Sequence, residues 1–208
     1  MKNALFAFSF LLALLLPGCA VNKPKIEIPT VVQADEAPVP KSGYVAATVL
    51  ATSKQAPGGI ALGLVNTTTY AEHLLPIGNL GYLESYKDLN NIPRVIALPP
   101  GQYRLAFWVT YYYDNGELLT KNTIQTNSPM AITFSVAPDG ITYLGSYSTM
   151  SEHKFKGNEQ TTHWRVNQDQ IPEHDARQAV FARHPTFSKL DFFCPRCIAV
   201  PVPGNRSN

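Results

Sequence analysis

Along most of the chain apolar residues return at every second position, the period of a strand with one buried face. Residues 44–50 and 60–65 are two such runs, separated by the breaker cluster Ala56-Pro57-Gly58-Gly59. Residues 94–98 predict a short strand that stops at Pro99-Pro100-Gly101, and residues 102–113 carry the longest strand pattern in the chain. Asp114-Asn115-Gly116-Glu117 then supplies a hairpin turn, because Asn-Gly reaches positive φ at little cost, and residues 118–126 predict the returning strand. A second hairpin is expected from residues 130–136 and 141–147 across Ala137-Pro138-Asp139-Gly140, with a last strand over 161–166.

Residues 169–184 break the two-residue period. Asp169 is a candidate cap, Pro172 falls near the first turn, and Ala176, Ala179, Val180 and Arg183 recur at helical spacing before Pro185 ends the run. Many short strands with Gly and Pro turns and one late helix predict a mainly β fold. The expected architecture is an antiparallel β-sandwich with a single C-terminal helix laid on a sheet or its edge.

Two stretches sharpen that class. "IALPPGQYRLAFWV" (96–109) and "ITFSVAPDGITYLGSY" (132–147) resemble the L-x-P-G-x-Y-x-L strand pair and the YLG hairpin of prealbumin-like β-sandwich modules found in bacterial lipoproteins. The helix ending "FARHP" is similar to the C-terminal helix of such proteins. The resemblance implies a prealbumin- or Ig-like sandwich in which Gly101 permits a tight corner and Tyr103 and Leu105 face the core. It covers about half of the mature domain and implies no catalytic residue.

Ahead of the domain the pattern changes. Met1-Lys2-Asn3 precede an apolar run from Ala4 to Leu16 broken only by Ser9. A charged start and an apolar segment of this length make an export signal, shorter than the ~20 residues of a membrane-spanning helix. Leu16-Pro17-Gly18-Cys19-Ala20 follows, with Leu and Gly at the third and first positions before the cysteine. This resembles the lipobox of bacterial lipoproteins, which implies removal of residues 1–18, acylation of the Cys19 thiol and new amino group, and anchoring in membrane lipid. Ala20 in place of Asp is, by the same family's sorting rule, the outer-membrane pattern, so the expected location is the outer membrane, facing the periplasm. Residues 19–41 hold Pro24, Pro29, Pro38 and Pro40 among charged and polar residues without a period, and predict a flexible tether. Stretched at about 3.3 Å per residue, such a tether would reach up to ~70 Å. Residues 42–208 are then long enough for one domain with its own core.

Composition narrows the function classes. The formal net charge is +2, and loss of Lys2 with the signal leaves +1, which points away from nucleic acid. There is no G-x-S-x-G or phosphate-cradling glycine loop, and no cofactor motif. His73, His153, His163, His174 and His184 form neither H-x-x-x-H nor H-E-x-x-H, so their spacing supplies no metal site. Strict alternation along 102–113 puts Tyr103, Leu105, Phe107, Val109, Tyr111 and Tyr113 on one face and Arg104, Trp108 and Tyr112 on the other. Trp108 and Tyr112 are therefore the candidate platform for a glycan or a protein, against the simpler reading that both faces are covered.

Cys194-Pro195-Arg196-Cys197 has the spacing of a redox centre, half a zinc site or a local clip. Export favours a Cys194–Cys197 disulfide, and the prolines Pro201 and Pro203 leave no room for the helix that activates a redox cysteine. The zinc alternative would recruit His184 and His163 from a distance; free thiols are the third. Together these features predict an anchored, non-enzymatic envelope lipoprotein that binds or assembles with an envelope protein. A glycan- or peptidoglycan-binding protein is the alternative, and a periplasmic hydrolase the next.

Overall fold

The computed structural model describes residues 25–51, 59–79, 92–112, 116–156 and 159–198, and among these ten strands form two sheets. The first sheet holds β1 (Gly43–Ala51), β4 (Arg94–Leu98), β8 (Gly140–Lys156), β9 (Glu159–Asp169) and β10 (Asp191–Phe193). Its order is β10-β8-β1-β4, with β9 also on β8. The second holds β2 (Gly59–Asn66), β3 (Glu72–Asn79), β5 (Gly101–Tyr111), β6 (Leu118–Thr123) and β7 (Ile132–Val136), ordered β3-β2-β5-β6 with β7 also on β5. The second sheet is antiparallel throughout. The first corrects the wholly antiparallel expectation, because β1 and β10 both run parallel to β8. After Ala51 the chain passes to the second sheet, so β1 is flanked by strands that arrive much later, and β8 comes in along its own direction.

The two sheets share one apolar core. Val45, Ala47, Val49, Ile96, Leu98, Leu144 and Tyr147 of the first meet Ile60, Leu62, Leu64, Leu75, Ile77, Tyr103 and Phe134 of the second. Tyr103 is fully buried, and its hydroxyl donates to the Pro99 carbonyl at 2.8 Å, which pins the corner between β4 and β5. Burial of the apolar surface on these strands is the main favourable contribution to folding, at about 25 cal/mol per Å².

The outer faces are covered as well. The helix α1 (Glu173–Arg183) lays Ala176 and Val180, with Phe187 just beyond it, on Tyr44, Ala46, Val95, Ile141 and Tyr143 of the first sheet. It begins four residues later than the expected 169, because β9 continues by pairing with β8 as far as Asp169. On the second sheet a separate cluster of Ala61, Val65, Ala106, Phe107, Val109 and Tyr111 lies under Ile26 and Ile28 of the N-terminal segment.

That segment corrects the free tether expected before residue 42. From Lys25 the chain is docked as a strap. Lys25 bridges to Glu117, and the Ile26 amide donates to the Gly116 carbonyl at 2.9 Å. Further on, the Val32 amide donates to Val95, the Thr186 hydroxyl to the Glu36 carbonyl, and the Val39 amide to the Tyr44 hydroxyl. The strap therefore passes from the outer face of one sheet to the helix-covered face of the other.

Candidate functional site

Trp108 is not on a surface. It is 8% exposed and belongs to the core between the sheets. The cause is a β-bulge in β5: Gly63 pairs with Phe107, whereas the next residue, Leu64, pairs with Leu105, leaving Ala106 as the extra residue. An extra residue reverses the facing of everything after it. Tyr103 and Leu105 point into the shared core as expected, but beyond the bulge it is Trp108 that points in, and Phe107, Val109 and Tyr111 point out under the strap. Thr110 is carried inward with Trp108, and its buried hydroxyl has no hydrogen-bond partner among the described residues. Tyr112 is half-buried, and its backbone closes the turn through hydrogen bonds with Gly116 and Glu117. The Trp108/Tyr112 platform for a glycan is thereby corrected: the two side chains do not form one exposed strip.

One open feature of the fold is a groove of about 800 Å³ beside the strap. It lies where β3 and β4, which end the two sheets in their described order, face each other under residues 26–36. Leu74, Ile96, Leu98, Phe107 and Val109 give it apolar walls. Glu36, Glu72 and Lys121 of its lining are engaged. Lys121 sits 3.2 Å from Glu72 and 3.8 Å from the centroid of the Phe107 ring, and Glu36 accepts from the Gln33 amide at 3.0 Å. Burial lowers the pKa of His73 on the groove wall, so at neutral pH that imidazole is uncharged. Apolar walls with paired charges at the rim offer contact surface. The strap residues that build this site were missed in the sequence reading, although the alternation Ile26, Ile28 before Val31-Val32 was a usable signal.

Cys194 and Cys197 are joined by a disulfide. Between them Arg196 donates to the Ala131 carbonyl, and just after them the Ile198 amide donates to Ile171 at 3.0 Å. The clip thus fixes where the chain end crosses the approach to α1. A loop this short restricts the unfolded chain little, so Cys197→Ser is expected to cost about 2 kcal/mol or less in urea denaturation, with the fold kept. A loss near 5 kcal/mol would mean the clip holds the domain together.

Among the described residues no group of three or more His, Cys, Asp or Glu is placed to hold a metal. His163 and His174 are exposed. His184 is instead a structural residue, 1% exposed, with Nδ1 3.2 Å from the Gln33 carbonyl and its ring edge-on to Phe187 at 5.6 Å. Burial holds its pKa below the usual 6.5, and the carbonyls of Gln33 and Pro93 offset only part of this. The folded state therefore binds a proton less readily than the unfolded chain. The contribution is complete above pH about 6.5 and is lost as pH falls below it. Urea midpoints are expected to drop between pH 7.5 and 5.5, and His184→Gln to flatten part of that slope; an unchanged slope would show that the burial of His184 is not what the protein titrates against.

Cys19 lies outside the described residues. No helix of the described residues is long and apolar enough to cross a membrane. The chain matches no protein-family model and no curated protein. Among solved structures it is similar to a leucine-rich repeat protein of Bacteroides thetaiotaomicron, with 14% identity and a TM-score of 0.34, over 54% of this chain and 14% of that one.

Proposed function

We propose that this chain is a bacterial envelope lipoprotein, held in the outer membrane through acylated Cys19 and facing the periplasm, whose domain binds a protein partner and performs no chemistry of its own. A prealbumin-like sandwich is the finer fold reading. Two sheets around one core, with the Pro99 to Tyr103 corner, support it, and the parallel β1–β8 pairing is its departure from the simplest form. The observation that carries the binding role is the groove between the β3 and β4 edges. Strand edges beside apolar walls favour an extended peptide, because backbone groups supply hydrogen bonds while side chains fill the groove. With Trp108 in the core, the sugar-stacking alternative loses its surface.

Two measurements test the reading. The mass of the mature N-terminal peptide is expected to show acyl chains on Cys19, and Cys19→Ser to release the protein from membranes. A photo-crosslinking residue at Ala97, exposed on the groove wall, is expected to capture a discrete protein in cells, whereas one at Lys189 is not. Identical products from both positions would discard the groove as the binding surface.

A further inference from the structure

We propose that the end of the domain where the strap begins is a membrane-facing surface, and that the β8–β9 hairpin rests in the headgroup layer of the bilayer holding Cys19. This rests on acylation of Cys19.

Both sheets finish at that end. Ala51 of β1 pairs with Thr149 of β8, and Gly59 of β2 pairs with both Asn79 and Tyr111. The sheets are aligned there, since Gly78 packs directly on Val49. Lys25 joins beside it, through Glu117 and Gly116 at the start of β6. The opposite end carries Gly43, Leu98, Gly140 and Asp191, brought together by the pairing of β1, β4, β8 and β10.

Beyond Thr149 the register of β8 continues from Met150 to Lys156 against β9 alone among the described residues. These seven residues form a two-stranded arm about 24 Å long at ~3.4 Å each. Docking of the strap shortens the leash to the six steps from Cys19 to Lys25, which span at most about 20 Å. The leash is thus no longer than the arm that projects from the same end. With that end turned to the bilayer, the arm meets the surface even at full extension of the leash.

The arm's sequence fits that location. Residues 150–165 include Phe155 and Trp164, with Lys154, Lys156 and Arg165 against Glu152 and Glu159. Large aromatics partition to the membrane–water boundary, and a basic excess is attracted to anionic headgroups. A two-stranded ribbon is also marginal in water by itself, and a surface to lie on stabilises it.

The test uses the acylated protein in vesicles of phosphatidylethanolamine and phosphatidylglycerol, with and without nitroxide-labelled lipid. Lys154→Cys places a thiol on the arm and Lys189→Cys one at the opposite end, both at exposed positions. Cys194 and Cys197 are disulfide-bonded, so in the acylated chain the new thiol takes a fluorophore alone. Lipid quenching at 154 is expected to be at least about twofold stronger than at 189. Equal quenching overturns the proposal, as does protection of the 154 label by an envelope protein without lipid quenching. The N-terminal mass separates the two readings. If Cys19 is unmodified, the anchor is wrong, and the surface is then read in a Cys19→Ser background, where quenching at 154 on adding the chain to vesicles upholds it and its absence overturns it.

Discussion

Trp108→Ala is expected to destabilise the domain by about 3–5 kcal/mol, the range for removing a large aromatic from a core. Tyr112→Ala is expected to cost about 1 kcal/mol or less, because its side chain is only half-buried and its turn is closed by backbone hydrogen bonds. Urea denaturation followed by far-UV circular dichroism measures both. The contrast is the informative quantity: a surface strip would make the two losses similar and small, whereas a bulge that sends Trp108 inward separates them. Equal losses within about 0.5 kcal/mol would contradict the bulge.

Gly63→Val is the second large effect, with an expected loss of about 3 kcal/mol, or no soluble domain at all. A Cβ on Gly63 would fall 2.2–2.4 Å from three atoms of the Phe107 ring, which packs over this residue on the outer face. Overfilling of this kind forces side chains off their rotamers or moves the strand. Phe107→Ala removes the obstacle, so the double variant Gly63→Val with Phe107→Ala is expected to be more stable than the two single losses added together. Strict additivity would show that the two residues do not touch.

These two positions also mark how far the sequence could be read. The alternation along 102–113 correctly placed a long strand, and Tyr103 and Leu105 in its core, but period two has no means of announcing an extra residue at Ala106. Half the strand was therefore assigned to the wrong face, and with it the candidate site. The strand β3 was missed for a different reason. Pro76 lies within it and counts against a strand, yet β3 ends its sheet, and an edge is where proline is tolerated. The β8–β9 hairpin ran longer than its apolar pattern because backbone pairing, with Gly145 at φ 121° beside the β1 register shift, carries it past the core. Composition led residues 25–41 to be read as a tether, since few apolar residues stand there; the few that do, Ile26, Ile28, Val31 and Val32, each find a cluster. The Cys194–Cys197 disulfide was legible because compartment and spacing constrain it without knowledge of the fold.

The strap sets an order of events for a chain that is made N-terminus first. Gln33 is held by His184, 151 residues later, and Glu36 by Thr186, 150 residues later. The central strand β1 waits likewise for β4 and β8. Contacts of such sequence separation form slowly, since a long loop must close before they contribute. The first part of the domain to emerge is accordingly among the last to find its place, and must stay unpaired until α1 has followed it. A chain stopped before residue 173 would expose Val32 and the outer face of β1 together, an apolar seam that marks an unfinished copy.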